Sequence, residues 1–174
     1  MKNKPHIFGW KAVLKGYGWS CFCSDCILPL FASSALCVLA HIANADILVQ
    51  LQQLIKHGVS IIPAMVALIL TAYTIMLTFI TGDKFESIKN TEKGRKLIQN
   101  LNSSFAFCLL VSTISIIVMI IVSSISDLGI EIKNANFVNY PTYFCVCFLC
   151  IYSVSILIGI IIDVFNCGQT TLLE

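Results

Sequence analysis

Four long apolar runs separated by shorter polar stretches dominate the chain. They cover residues 22–43, 60–81, 104–126 and 141–163, and each matches the roughly 20 residues a helix needs to cross the hydrocarbon of a bilayer. The last three are nearly free of charge, whereas the first carries Asp25 and Pro29 near its start. This pattern predicts an all-α, integral membrane four-helix bundle forming a single domain over residues 1–174. Two shorter amphipathic stretches accompany it. Ile47, Leu48, Leu51, Leu54 and Ile55 recur at helical spacing opposite Gln50, Gln52 and Gln53. They predict a short helix on the outer leaflet or against the bundle. The segment before the first run mixes lysines with Trp10, Tyr17 and Trp19, which predicts a short interfacial helix along the inner surface. Ala43-Asn44-Ala45 resembles a signal-cleavage site. The region before it, with Phe8, Trp10, Tyr17 and Trp19, is too long and too aromatic for a signal peptide, so the segment is expected to be retained.

The basic residues give the bundle an orientation. Lys2, Lys4, Lys11 and Lys15 precede the first span, and Lys84, Lys89, Lys93, Arg95 and Lys96 lie between the second and third. Only Lys56 and Lys133 fall on the other side. The positive-inside rule therefore predicts both termini and the loop 82–102 in the cytoplasm. That loop, GDKFESIKNTEKGRKLIQN, is expected to extend the second and third helices beyond the membrane. Gly94 would allow the turn, and Ile88, Leu97 and Ile98 would give it a sparse apolar face. Pro63 suits the first turn of the second span.

Composition sharpens this picture. Hydrophobic residues make up 57% and charged residues 11% of the 174, with a mean hydropathy of +0.88. About a quarter of a soluble domain is charged, so lipid is the expected solvent. A net charge of +2 lacks the basic excess of a nucleic-acid binder. Most of the nine cysteines sit in or beside apolar runs and read as small hydrophobes. C-x-C-x-x-C occurs twice, at Cys21, Cys23 and Cys26 and at Cys145, Cys147 and Cys150. The two sets fall on opposite halves of the bilayer, and His6, His41 and His57 are badly placed to complete either, so no metal site is expected. A disulfide in the second set is the stronger alternative, although helix geometry holds such neighbours poorly. No nucleophile triad, phosphate loop or zinc-protease motif is present. The chain is expected to be non-enzymatic and to need no cofactor.

Asp25 is the most informative single residue. An acid within a span is costly in lipid and faces the bundle, water or a cation, with Lys15 or a basic residue of the loop as its expected partner. Asp163 ends the fourth span at a similar depth; it reads either as a boundary marker or, with Asp25, as part of a ring of acids at an inner vestibule in an oligomer. No ionisable residue lies at mid-membrane, which argues against a proton-coupled carrier. Ala64, Ala67 and Thr71 form a small-residue stripe, and Ser155 and Gly159 have small-xxx-small spacing. Both patterns favour helix association within or between subunits.

In length, four spans, inside termini and the basic loop GDKFESIKNTEKGRKLIQN, the chain resembles the membrane subunits (KwaA) of the Kiwa anti-phage defence system. The resemblance is architectural and runs over the whole chain. It implies a homo-oligomeric component that detects infection at the envelope and works with a soluble cytoplasmic effector, a KwaB-like protein. Lys84, Lys89, Lys93, Arg95 and Lys96 of the loop, with Lys11 and Lys15, would then form the contact surface. Two other classes compete with it. One is a small oligomeric pore lined by Ser112, Ser115, Tyr152 and Ser155. The other is an assembly subunit of a different membrane complex.

Overall fold

A computed structural model of the protein describes residues 9–81, 90–127 and 136–172. Five helices account for nearly all of them: α1 (Trp10–Tyr17), α2 (Trp19–Ile42), α3 (Ile47–Thr81), α4 (Glu92–Asp127) and α5 (Asn136–Leu172). The last four are each long and apolar enough to cross a membrane. The protein is an all-helical, multi-pass bundle, as the apolar runs predict.

Local chemistry sets the breaks. Gly18 separates α1 from α2 with φ 85°, a left-handed conformation that glycine adopts without strain. α2 closes at Asn44, φ 50°. The Asn44 amide donates to the His41 carbonyl and the Ala45 amide to the Ala40 carbonyl, the paired bonds of a Schellman ending. Asp46 then caps α3, accepting from the Leu48 amide at 2.9 Å and the Val49 amide at 3.4 Å. Thr91 caps α4 by accepting from the Gly94 amide at 3.1 Å.

Chain direction alternates from α2 to α5. α5 packs against α2, α3 and α4, while α4 packs against α1, α3 and α5. Two clusters fill the interior. One, near the start of α4, gathers Tyr17, Ile69, Leu101, Phe105, Cys108, Tyr152 and Ile156. The other, toward the opposite end, gathers Ile47, Leu51, Ile55, Ile62, Met119, Tyr143 and Cys147.

α2 shows which solvent the bundle is built for. Its buried residues are Pro29, Ser33 and Ala40, with Cys26 and Cys37 partly buried beside them. Its large side chains face outward, Phe31 at 79% exposure among them. Water would drive the large apolar groups inward. In lipid that drive vanishes, and small residues take the contact face because they let backbones approach.

Three expectations are corrected. The amphipathic segment at 47–55 is not a separate surface helix. It is the first part of α3, because Ile47, Leu51, Ile55, Gly58, Ile62 and Ile69 continue one buried stripe through the expected boundary. Leu48 faces outward and Leu54 is half-buried. Pro63 therefore lies in the middle of α3 rather than in a first turn, on an exposed face. Gly94 makes no turn: it is buried in the first turn of α4. At about 1.5 Å per residue the 36 residues of α4 reach some 54 Å, well beyond a hydrocarbon core of about 30 Å. Its charged beginning therefore exceeds the length a span needs and forms a helical stem at that end of α4.

Candidate functional site

The end of the bundle where α1, α2 and the α4 stem begin carries two features, one basic and one acidic.

The basic feature is built by docking α1 on the stem. Val13 and Tyr17 of α1 pack with Leu97, Leu101 and Phe105 of α4. Gly16 comes so near Ser103 that a Cβ there would collide with the serine hydroxyl and lie 2.8 Å from its Cβ. The Tyr17 ring stacks on Phe107 with centroids 4.1 Å apart. α1 is thus held by the bundle rather than only by lipid, and the polar residues of α1 and the stem share one end. Lys11 and Lys15 are exposed on α1, and Arg95 and Lys96 are exposed on α4. Lys11 lies 5.7 Å over the Trp10 ring. Lys96 is paired with Glu92 at 2.9 Å, both side chains more than two-thirds exposed, a contact of a few tenths of a kcal/mol. Lys84 and Lys89 lie outside the described residues, as does the side chain of Lys93.

The acidic feature is an open cleft of about 370 Å³ between the α1–α2 junction, α4 and α5, lined by Tyr17, Ser24, Asp25, Ser104, Gly159 and Asp163 among others. The partner of Asp25 is not Lys15 or a loop residue. The Tyr17 hydroxyl donates to Asp25 Oδ2. Burial, and then this bond to a carboxylate, pushes the Tyr17 hydroxyl above the ordinary tyrosine range. Behind the cleft Tyr152 is 2% exposed. Its ring is braced by Phe22 and Phe148 at 5.9 and 5.5 Å. Its hydroxyl lies near Cys26, Tyr17 and Asp25, yet no hydrogen bond of normal geometry satisfies it. Pro29, one turn above Asp25, cannot supply the amide that would bind the Asp25 carbonyl. Asp25 and Asp163, matched in sequence only by depth, are thus brought to one cleft. Tyr17 was missed as the partner of Asp25 because the glycine break at Gly18 hides the i, i+8 relation from any helical periodicity.

The hydroxyl residues of mid-membrane sit elsewhere. Ser112, Ser115 and Ser153 are fully buried in the bundle. Ser115 Oγ meets Ser153 Oγ at 3.1 Å, joining α4 to α5; one hydroxyl donates across this contact, and the other donates to a main-chain carbonyl one turn earlier, Val111 from Ser115 at 2.9 Å or Leu149 from Ser153 at 2.8 Å. Tyr152 is buried too, and the Ser155 hydroxyl is enclosed and unpaired. These groups lie in the interior of the chain. Ala64, Ala67 and Thr71 of α3 do face outward, away from the rest of the protomer. The thiols of Cys21, Cys23, Cys26, Cys145, Cys147 and Cys150 are free, so the second set forms no disulfide.

No protein-family model matches the chain, and neither a curated protein nor a solved structure does. The fold and this end of the bundle define a multi-pass, four-helix membrane protein with a helical stem and a docked amphipathic helix at one face.

Proposed function

We propose that the chain is a non-enzymatic membrane anchor and sensor subunit that assembles with copies of itself and docks a soluble, acidic cytoplasmic partner on α1 and the α4 stem. One observation carries the reading: α1 packs on α4, so Lys11 and Lys15 share one end of the bundle with Arg95 and Lys96. A basic surface held by packed helices suits electrostatic docking, which governs encounter rate and partner choice. The excess of lysine and arginine at this end supports placing it, with both termini, in the cytoplasm at a bacterial inner membrane. The outward stripe of Ala64, Ala67 and Thr71 supports self-association, since small residues let helices of neighbouring copies approach. The Kiwa resemblance supplies anti-phage defence as the setting and a KwaB-like effector as the partner. The anchor reading is preferred to the pore because Ser112, Ser115 and Tyr152 are buried within the chain rather than presented on its surface.

The test is recovery of the tagged protein from its host in mild detergent, with mass analysis of the intact complex. The expected result is a soluble acidic protein at fixed stoichiometry, lost on joint reversal of Lys93→Glu, Arg95→Glu and Lys96→Glu. A partner retained through that reversal would sink the assigned surface. A homo-oligomer without a soluble component, conducting ions in liposomes, would sink the anchor reading.

A further inference from the structure

We propose that the cleft at the α1–α2 junction binds a primary ammonium group, with Asp25 and Asp163 as its counter-charges. Both carboxylates line it, and no lysine, arginine or histidine is among the described residues that do. The Tyr17 hydroxyl occupies Asp25 Oδ2, leaving Oδ1 to accept from a ligand.

Ser104 is an independent indication of a ligand. It lines the cleft at 9% exposure, and its hydroxyl makes no hydrogen bond to any described residue. A serine in a helix commonly satisfies itself on the carbonyl one turn back, as Ser124 does here. Unlike the enclosed, unpaired hydroxyls of Ser112 and Ser155, Ser104 opens onto a cleft that holds two acids, where a donor from outside the chain can reach it.

Size and walls select the kind of cation. About 370 Å³ far exceeds one coordinated ion, and Ile156, Ile160 and Ile162 supply apolar walls. Among the described residues no three histidine, cysteine or acidic side chains converge as metal ligands. An ammonium on a carbon skeleton fits better: three N–H donors for the two carboxylates and the Ser104 hydroxyl, and carbon against the isoleucines. Depth indicates where it would come from. Asp25 lies six residues, about 9 Å, inside Trp19, which is 77% exposed. Asp163 lines the same cleft as Asp25. An exposed tryptophan at a span end marks the headgroup layer. The ammonium of an aminolipid headgroup and a soluble primary amine both reach this level.

Cys21 offers a direct readout, because it lines the cleft and its thiol is free and exposed. The rate of Cys21 alkylation is measured on the full chain in nanodiscs, with Cys21→Ser setting the background from other thiols. Three conditions are compared: phosphatidylethanolamine discs, phosphatidylcholine discs, and phosphatidylcholine discs titrated with ethylammonium. The expected result is slowing by roughly tenfold, the scale of one charge-assisted hydrogen bond. Slowing in phosphatidylethanolamine alone assigns the headgroup, and slowing by ethylammonium assigns a soluble amine. Asp163→Asn and Ser104→Ala should each reduce the protection, and neither removes the Tyr17–Asp25 bond on which folding leans. Equal rates in all three conditions would overturn the proposal, as would protection unchanged in both variants.

Discussion

Gly16→Ala is the sharpest perturbation of the docked helix. A Cβ at this position would collide with the Ser103 hydroxyl and stand 2.8 Å from the Ser103 Cβ. The hydroxyl can rotate away, but the Cβ is fixed to α4, and Ser103 is only 6% exposed. α1 must therefore move. With the Cβ unable to yield, overpacking falls in the upper part of its usual range, about 2–3 kcal/mol, and replacing a helical glycine by alanine offsets about 1 kcal/mol. The net of about 1–2 kcal/mol corresponds to a roughly 5- to 30-fold rise in the population with α1 undocked. Amide hydrogen exchange of the protein in detergent reads that population directly. Amides of α1 should exchange faster by that factor in Gly16→Ala, while those in the middle of α4 stay unchanged. Ser103→Gly removes both colliding atoms, so the double variant should regain most of the protection. Unchanged α1 exchange in Gly16→Ala, or a double variant as unprotected as the single, would refute the close contact on which the platform depends.

Further outcomes follow from the same geometry. Tyr17→Phe keeps the stack on Phe107 but removes the donor to Asp25, and should lower stability by about 1.5–3 kcal/mol in thermal unfolding. The folded-state pKa of Tyr17 lies above the ordinary 10.0, so its contribution to stability is complete below pH 10 and falls as the pH rises beyond it, when the unfolded chain releases a proton the folded one keeps. Wild type should lose stability there by up to about 1.4 kcal/mol per pH unit more than Tyr17→Phe. Ser115→Ala and Ser153→Ala should show a coupling of about 0.6 kcal/mol in a double-mutant cycle, the usual size for a hydrogen bond between membrane helices, and additive effects would deny the contact seen at 3.1 Å. For orientation, a membrane-impermeant maleimide should label Cys21 in inverted vesicles and not in right-side-out ones, with Cys21→Ser as the control; labelling of right-side-out vesicles would reverse the assigned topology.

The spans were legible because lipid demands long apolar stretches whatever the tertiary structure. The small face of α2 was equally readable in principle, since Cys26, Pro29, Ser33, Cys37 and Ala40 recur at spacings of three and four. The start of α3 was misread because its surface pattern and its spanning pattern run in phase, so Ile55, Gly58 and Ile62 carry one stripe across the expected boundary. Charge alone placed Lys11, Lys15 and Arg95 at one end, but it could not show that α1 is held on α4. That depends on the fit of Gly16 to Ser103, two residues far apart in sequence whose match is steric and leaves no periodic trace. The lining named for the alternative pore could not be placed from sequence for a related reason. Ser112 and Ser115 are polar residues in apolar helices, and sequence does not distinguish a hydroxyl that faces a passage from one that joins two helices of the same protomer.

Tyr17 ties the two features of this end together. Its ring belongs to the packing that holds α1 on α4, and its hydroxyl belongs to the acidic cleft through Asp25. A cation that draws the Asp25 carboxylate away from that hydroxyl weakens one of the few polar bonds fixing α1, while one that binds through Oδ1 and leaves Oδ2 in place strengthens it by restraining the carboxylate. Either way the cleft and the basic surface are thermodynamically linked through a single side chain. The coupling cannot exceed the worth of the shared bond, about 1.5–3 kcal/mol for a hydrogen bond to a charged group. Linkage is reciprocal, so a partner that grips Lys11 and Lys15 on α1 must alter cleft affinity by the same factor. Tyr17→Phe cuts the link while leaving both surfaces present, and in that variant the Cys21 alkylation rate should no longer respond to occupancy of the platform.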